Sequence, residues 1–173
     1  MKDRLPWLAL PLGVFALDFG SKAWVLRNLT EHQVLEVIPG LFNLTLGFNS
    51  GAIFGSLQGA SPGFRMVLFS LAGVGALGYF GWEFLRAETS RVQRIALGLI
   101  LGGILGNGVD RLQHGAVVDF LDVYVRNLNL GFTRIHEWHY WTFNIADSAI
   151  VCGAILLGLA LLRAHKADQP AAQ

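Results

Sequence analysis

The residues of this sequence that are best suited to catalysis are acidic. Two aspartates that share one proton can activate water for amide hydrolysis, one acting as base and the other as acid. A surrounding of low dielectric constant favours that sharing. The four candidate carboxylates are Asp110, Asp119, Asp122 and Asp147. Spacing alone leaves open which two of them form a pair.

Other hydrolytic chemistries lack their motifs in this sequence. There is no HExxH, and His136-Glu-Trp-His139 has the wrong spacing for two zinc ligands on one helical face. We interpret these two histidines as polar loop residues. Ser148 has no G-x-S-x-G context. The carboxylates therefore remain the candidates for chemistry at this site, and they need no metal and no cofactor.

The composition indicates where such a centre would lie. Of the 173 residues, 53% are apolar and only 14% are charged, against about 25% charged in soluble domains. Mean hydropathy is +0.48. With 13 basic and 12 acidic residues, the net charge is +1 and there is no basic run, which argues against nucleic-acid binding. A small membrane protein with several spans, forming a single domain over residues 1–173, is predicted.

Four segments are long and apolar enough to cross a bilayer, which takes about 20 residues. They are residues 7–26, 66–85, 95–109 and 142–162. The first resembles a signal peptide, but no A-x-A site follows it, and it is interpreted as a retained span. Gly98, Gly102 and Gly106 recur every four residues on the third span, a small-residue stripe typical of close helix packing.

The distribution of basic residues predicts the orientation. Four spans put both termini and the 86–94 loop on one side of the membrane. These short segments hold seven Lys and Arg, whereas the much longer segments 27–65 and 110–141 hold five. Because the side richer in Lys and Arg faces the cytoplasm, both termini are predicted to be cytoplasmic.

The two outer segments differ in their patterns. Residues 33–57 contain the alternating stretch 41–46 between turn signals at 39–40 and 49–51, which predicts a small antiparallel sheet. Residues 113–141 show no long apolar face, and we expect a short interfacial helix and a loop there. Asp122 is expected to lie at the surface of that segment.

Charged residues inside the spans need a reason, because each costs roughly 2.5–3.5 kcal/mol on insertion. Taken alone, Asp18 and Lys22 could be an intrahelical ion pair, and Asp110–Arg111 could mark a span boundary. Asp147 lies about 7.5 Å inside its span at 1.5 Å per residue. All of these residues fall in the outer half, which predicts one site at the outer bilayer boundary. The set is Asp18, Lys22, Asn49, Asn107, Asp110, Arg111, Asp119, Asp122, Asn144 and Asp147.

Five motifs of the chain, in order, resemble those of the bacterial lipoprotein signal peptidases (signal peptidase II). The family patterns are D-x-x-x-K, N-[TS]-G-A-x-F, G-G-x-x-G-N-x-x-D-R, V-V-D-F and F-N-x-A-D-S. They match Asp18–Lys22, Asn49–Phe54, Gly102–Arg111, Val117–Phe120 and Phe143–Ser148. Each motif is short, but their order along a chain of four predicted spans makes the resemblance specific.

The resemblance implies a mainly α membrane protein: a four-transmembrane-helix bundle with a small antiparallel β-sheet cradle and a short interfacial helix on the periplasmic side. It implies an aspartic endopeptidase in the bacterial inner membrane that cuts prolipoproteins before a diacylglyceryl cysteine, acting as a monomer among membrane lipids. By motif position, Asp119 and Asp147 would be the catalytic dyad. The residues that would support the dyad and the substrate are Asn49, Asn107, Arg111 and Asn144. Those that would support the surrounding architecture are Asp18, Lys22 and Asp110.

One stretch departs from the family pattern. The segment 122–141 is longer than the corresponding segment in typical members of that family. The resemblance therefore leaves the loop geometry and the access of substrate open. Two other functions compete with the peptidase: a proton or ion relay through Asp147, Asp110 and Lys22, and a purely structural subunit. A relay needs polar groups in both halves of the membrane, whereas the inner half here is apolar.

Overall fold

The computed structural model describes residues 2–50, 60–86, 88–129 and 134–167. A short 3-10 helix (Lys2–Leu8) leads into the first of four long helices, and four strands lie between the helices. The helices are α1 (Ala9–Asn28), α2 (Pro62–Leu85), α3 (Arg91–His114) and α4 (Ile145–Ala167). The strands are β1 (Val34–Ile38), β2 (Phe42–Asn49), β3 (Val117–Asn129) and β4 (Arg134–His139).

All four helices are long and apolar enough to cross a membrane, as predicted. Polar residues define their ends: the Ser61 hydroxyl accepts from Phe64 N–H at the start of α2, and Ser90 forms a capping box with Gln93 at the start of α3. Gly115 ends α3 in the left-handed conformation at φ 71°, which glycine adopts without steric cost.

Helix α3 is longer than its predicted span of 95–109. It continues through Asp110 and Arg111 to His114, because Asp110 is buried and ion-paired with Lys22 of α1 instead of facing water at a helix end. Charge in the sequence therefore marked a contact between two helices and not the boundary of one.

Helix α3 packs against the other three helices, and three of its glycines make the contact with α1 close. A Cβ atom at Gly102 would stand 2.6 Å from Val14 Cβ and 2.7 Å from the Pro11 carbonyl oxygen of α1. At Gly98 a Cβ would meet Leu10 at 3.0 Å, and at Gly106 it would collide with Asp18. The predicted small-residue stripe is therefore a packing surface, as expected for helices that approach closely.

The strands form one antiparallel sheet in the order β1-β2-β3-β4. The sheet packs against the end of the bundle where α1 and α3 finish and α2 and α4 begin, here called the sheet end. A buried apolar cluster joins the sheet to α1, made of Val25, Leu29, Leu46, Val118 and Phe120. The predicted sheet is confirmed over β1 and β2; residues 51–57 of the predicted 33–57 segment lie outside the described residues.

The interfacial helix expected within residues 113–141 was wrong for the residues described there. After α3 ends, this stretch forms β3 and β4, which pair from Tyr124↔His139 to Asn129↔Arg134. Its residues 117–125 are rich in Val, Phe and Tyr, which favour strands. No single apolar face was visible because β3 uses both faces: Val118 and Phe120 pack on α1, while Asp119 points to the other side.

Candidate active site

Lys22 is the centre of a buried polar cluster between α1 and α3. It is 2% exposed, and its Nζ lies 2.6 Å from Asp18 Oδ2 and 2.7 Å from Asp110 Oδ2. It also donates to Asn107 Oδ1 at 3.1 Å. The intrahelical pair left open by the sequence does form, but it is part of an interhelical cluster in which two carboxylates pair with one buried ammonium group.

The two carboxylates of this cluster also bind backbone groups of the next elements. Asp110 Oδ2 accepts from Val118 N–H at 3.0 Å, near the start of β3. Asp18 Oδ1 accepts from Ala146 N–H at 2.9 Å, in the first turn of α4. The cluster therefore holds the beginnings of the two elements that carry Asp119 and Asp147.

Asp119 and Asp147 come together at the sheet end through asparagine side chains. Asp119 is 2% exposed; its Oδ2 accepts from Asn49 Nδ2 at 3.0 Å and its Oδ1 from Asn144 Nδ2 at 2.9 Å. Asp147 is half-buried; its Oδ1 accepts from Asn107 Nδ2 at 2.7 Å. Hydrogen bonds from these amide groups hold the two carboxylates near each other.

Asn144 connects the two aspartates because it also caps α4. Its Oδ1 accepts from Asp147 N–H at 2.8 Å, and its own N–H lies 3.3 Å from Asp147 Oδ2, a reciprocal capping arrangement. This use of Oδ1 directs its Nδ2 toward Asp119 and Asn107 Oδ1. The capping interaction at the start of α4 therefore also orients the Asn144 amide that donates to Asp119.

Burial controls the charge of Asp119. Removal from water raises the pKa of this carboxyl to about 7; the hydrogen bond from Asn49 opposes the shift, and the nearby charge of Asp147 adds to it. A carboxyl group with this pKa is partly protonated near neutral pH. The arrangement can therefore supply an acid and a base to the same substrate.

Each aspartate lines a different cavity. Asp147 lies on a cavity of about 480 Å³ bounded by α2, α3 and α4, with mostly apolar walls. Asp119 lies on a second cavity of about 470 Å³, formed by β2 together with Glu31, Trp141 and Thr142. Arg111 also lines the first cavity, with its guanidinium 5.2 Å above the Phe69 ring. Each of the two carboxylates is therefore accessible from a cavity.

The structure brings all nine residues singled out for the site to this region, but it corrects the expectation for Asp122. Asp122 is 4% exposed and not at the surface. Its Oδ2 accepts from Asn43 Nδ2 at 2.8 Å, and its Oδ1 lies 2.9 Å from His139 Nδ1. Sequence reasoning missed Asn43 and His139 as partners; the one signal was the position of Asn43 on the polar side of the alternating stretch 41–46.

Metal ligation by the histidines has no counterpart among the described residues, where no group of three or more His, Cys, Asp or Glu side chains could hold a metal ion. The nitrogens of His139 contact Asp122 and Glu137 instead.

Comparisons with known proteins identify the family of this chain. A family model described as signal peptidase (SPase) II matches residues 10–163. A lipoprotein signal peptidase of Pseudomonas aeruginosa is 39% identical, covering 97% of this chain and 94% of that protein. One of Xylella fastidiosa is 42% identical, with 91% and 88% covered.

Solved structures agree as well. A bacterial membrane enzyme determined by the in meso method at 2.3 Å resolution superposes with a TM-score of 0.78 and 28% identity, over 97% of this chain and 94% of that one. A second, at 1.9 Å resolution, gives a TM-score of 0.73 and 29% identity, over 91% and 92%. With four helices able to span a membrane, a sheet at one end and this similarity over nearly its whole length, the chain is a multi-pass membrane peptidase of the signal peptidase II family.

Proposed function

We propose that this protein is an intramembrane aspartic endopeptidase that removes the signal peptide from diacylglyceryl-modified prolipoproteins, cutting N-terminal to the lipidated cysteine. The observation that carries the proposal is the pairing of Asp119 with Asp147 through Asn144, between two cavities. Family membership supports the same substrate class, since the curated relatives are lipoprotein signal peptidases.

The environments of the two aspartates divide their roles. Asp119 is the more buried and has a pKa of about 7, so it carries the shared proton. Asp147 is less buried and accepts hydrogen bonds from Asn107 Nδ2 and the Asn144 N–H, so on this proposal it is the partner that takes up a proton. Asp147 is therefore the base and Asp119 the acid when the substrate binds.

These roles give a balanced reaction. Asp147 takes a proton from water as the water oxygen attacks the scissile carbonyl carbon, and Asp119 gives its proton to the carbonyl oxygen. When the resulting tetrahedral diol collapses, Asp147 returns its proton to the leaving amine nitrogen and a diol hydroxyl returns one to Asp119. Both carboxyl groups finish in their starting states, and the carbon–nitrogen bond is broken.

The shape of the cavity beside Asp147 suits a signal peptide. Its walls are apolar side chains of α2, α3 and α4, and small residues of α2, Ala72, Gly73 and Ala76, leave room for a helix. An apolar helix enters such a cavity sideways from the lipid, so no aqueous channel is needed. A scissile bond next to a lipid anchor requires a site at the bilayer boundary, which is where the sheet end lies on this proposal.

The proposed setting is the bacterial inner membrane, with a monomeric enzyme whose termini are cytoplasmic and whose site faces the periplasm. The support is the distribution of charge: Arg86, Arg91 and Arg94 lie at the end of the bundle opposite the sheet end, and basic residues collect on the cytoplasmic side.

A cleavage assay with the full-length protein in detergent tests this function. We expect a peptide with a diacylglyceryl lipobox cysteine to be cut before that cysteine, and the unlipidated peptide to be cut at least about a hundredfold more slowly, since each buried CH₂ contributes roughly 0.8 kcal/mol. Equal turnover of the two peptides would contradict a lipoprotein-specific enzyme. Cleavage should persist in EDTA; activity that is lost to EDTA and restored by zinc would contradict aspartic chemistry.

A further inference from the structure

A charged network lies on the face of the sheet opposite Asp119. Asp119 and Asp122 are three residues apart on β3, so their side chains point to opposite faces. The imidazole of His139 on β4 links two of its members. Its Nδ1 lies 2.9 Å from Asp122 Oδ1, and its Nε2 lies 3.0 Å from Glu137 Oε1 of the same strand. Arg126 extends it, 2.9 Å from Glu137 Oε2 and 3.1 Å from Glu36 Oε1.

The geometry determines the charge of the His139 ring. Carboxylates accept hydrogen bonds and do not donate them, and neutral imidazole has one N–H. Because Nδ1 faces Asp122 and Nε2 faces Glu137, both nitrogens have to donate, which only the imidazolium form does. The Glu137 and Asp122 carboxylates accordingly raise the pKa of His139. The ring of buried Tyr124 stacks on the imidazole, with centroids 5.1 Å apart.

His139 lies where the chain turns toward the site. It is the last residue of β4. The chain then returns to β3 at Phe143, whose N–H donates to the Leu121 carbonyl and whose carbonyl accepts from the Leu121 N–H, at 3.0 and 2.8 Å. Asn144 and Asp147 follow directly. The contact of His139 with Asp122 therefore joins the strand that carries Asp119 to the segment that leads to Asp147.

We propose that His139, as an imidazolium held between Asp122 and Glu137, is a positioning residue for the catalytic dyad. It ties the start of segment 140–144 to β3 and so sets the distance between Asp119 and Asp147. The inference rests on the proposed function of that dyad. Loss of the imidazole proton removes one of the two hydrogen bonds, so the positioning is present at lower pH and lost as pH rises through the His139 titration.

The ratio of two cleavage rates isolates this effect. We compare wild type with His139→Gln, which is neutral at every pH, using the lipidated peptide from about pH 5.5 to about pH 9, the range over which imidazole titrates. At the acidic end kcat of wild type should exceed that of the variant about tenfold, the worth of one charged hydrogen bond. The ratio should fall to about two or less at the alkaline end. Titration of Asp119 affects both proteins and cancels from the ratio.

Three variants complete the test. His139→Lys keeps a cation at all these pH values and should restore most of kcat where His139→Gln is slow. Glu137→Gln removes one of the two charges that hold the imidazolium, so its kcat should begin to fall at a lower pH than that of wild type. His136→Gln, an exposed histidine of the same strand, should behave as wild type. A wild-type to His139→Gln ratio that does not change with pH, or a loss confined to KM, would overturn the proposal. If Asp119 and Asp147 were not the catalytic pair, the Asp147→Asn variant would keep its activity. That outcome would contradict the proposed function itself.

Discussion

The carboxamide of Asn144 lies between Asp119 and Asp147 and hydrogen-bonds in both directions. It caps α4 by accepting from Asp147 N–H and donates to Asp119 Oδ1. Asn107 has a similar double role, because it accepts from Lys22 Nζ and donates to Asp147 Oδ1. Lysine is only a donor, so Lys22 forces the Asn107 amide to present its nitrogen to Asp147. The charge of α1 thus orients a side chain that touches the proposed base.

Replacing either aspartate by asparagine removes a proton carrier while keeping nearly the same shape. We expect Asp119→Asn and Asp147→Asn each to lower kcat at least about a thousandfold. The double variant should be little worse than either single one, because the proposed mechanism uses the two residues as a unit. Cleavage of the lipidated peptide measures this effect.

Two further substitutions serve as controls. Glu88→Gln changes an acid whose side chain is 77% exposed, and it should leave kcat unchanged. Asp122→Asn should cost only about tenfold, since Asp122 acts through His139. If Asp122→Asn abolished cleavage while Asp119→Asn did not, the wrong aspartate of β3 would have been assigned to the dyad.

The pH dependence of cleavage follows from Asp119. Burial raises its pKa to about 7, so the acid is present below that pH and is lost as pH rises through it. Measured as kcat/KM, cleavage should fall about tenfold per pH unit above about pH 7. His139→Lys should retain this fall, because it leaves the dyad unchanged. A flat profile between about pH 6 and pH 9 would argue against Asp119 as the acid.

Helix α3 holds the helical bundle together, since it packs against α1, α2 and α4. Its glycines let the Lys22 cluster form: close approach of α1 and α3 brings Asp18, Lys22 and Asp110 within ion-pair distance. The same close packing of α1 and α3 therefore also excludes water from these charges, which strengthens their interactions.

Enlarging Gly102 should separate α3 from α1. The new Cβ of Gly102→Ala would meet Val14 Cβ at 2.6 Å and the Pro11 carbonyl oxygen at 2.7 Å, an overpacking that costs about 1–3 kcal/mol. Thermal unfolding in detergent should show a Tm lower by several degrees. Gly108→Ala is the matched control on the same helix, because its Cβ would have nothing within 4 Å. Equal Tm values for the two variants would contradict close packing at Gly102.

At the scale of the whole molecule, the buried polar side chains among the described residues lie at one end of the bundle. The buried polar residues concentrate at the sheet end, as Asp18, Lys22, Asn107, Asp110, Asp119 and Asn144. At the opposite end the arginines lie near helix termini, where Arg94 contacts the Trp7 ring at 5.7 Å. A transport relay would need buried polar groups along the full height of the bundle.

The topology can be tested by reporter fusions in cells. Fusions after residue 90 and at the C-terminus should report the cytoplasm, and an insertion near residue 128 should report the periplasm, because Lys and Arg are retained inside. A cytoplasmic signal from the reporter at residue 128 would contradict the proposed orientation. Fusion in the 86–90 loop and at residue 128 samples both ends of the bundle in one protein.

Local patterns were enough to predict the helices and the first two strands, and they singled out the polar residues that the structure gathers at the sheet end. Long apolar runs predict spans because the bilayer has a fixed thickness, and alternation over 41–46 predicts a strand that has one apolar face. The concentration of Asp, Asn and Lys in one half of the spans indicates a single site, because isolated charges in a membrane are costly. The order of the five motifs along the chain indicated the signal peptidase II family.

Tertiary structure alone decided how these residues work together. Asp110 looked like the boundary of a span, but its pairing with Lys22 lets α3 continue to His114. The stretch after α3 became β3 and β4 because pairing with β2 and packing on α1 use both faces of one strand, which leaves no periodic signal. Asp122 and His139 are 17 residues apart and meet only through strand register. Contacts between distant segments depend on the fold as a whole, so no local pattern encodes them.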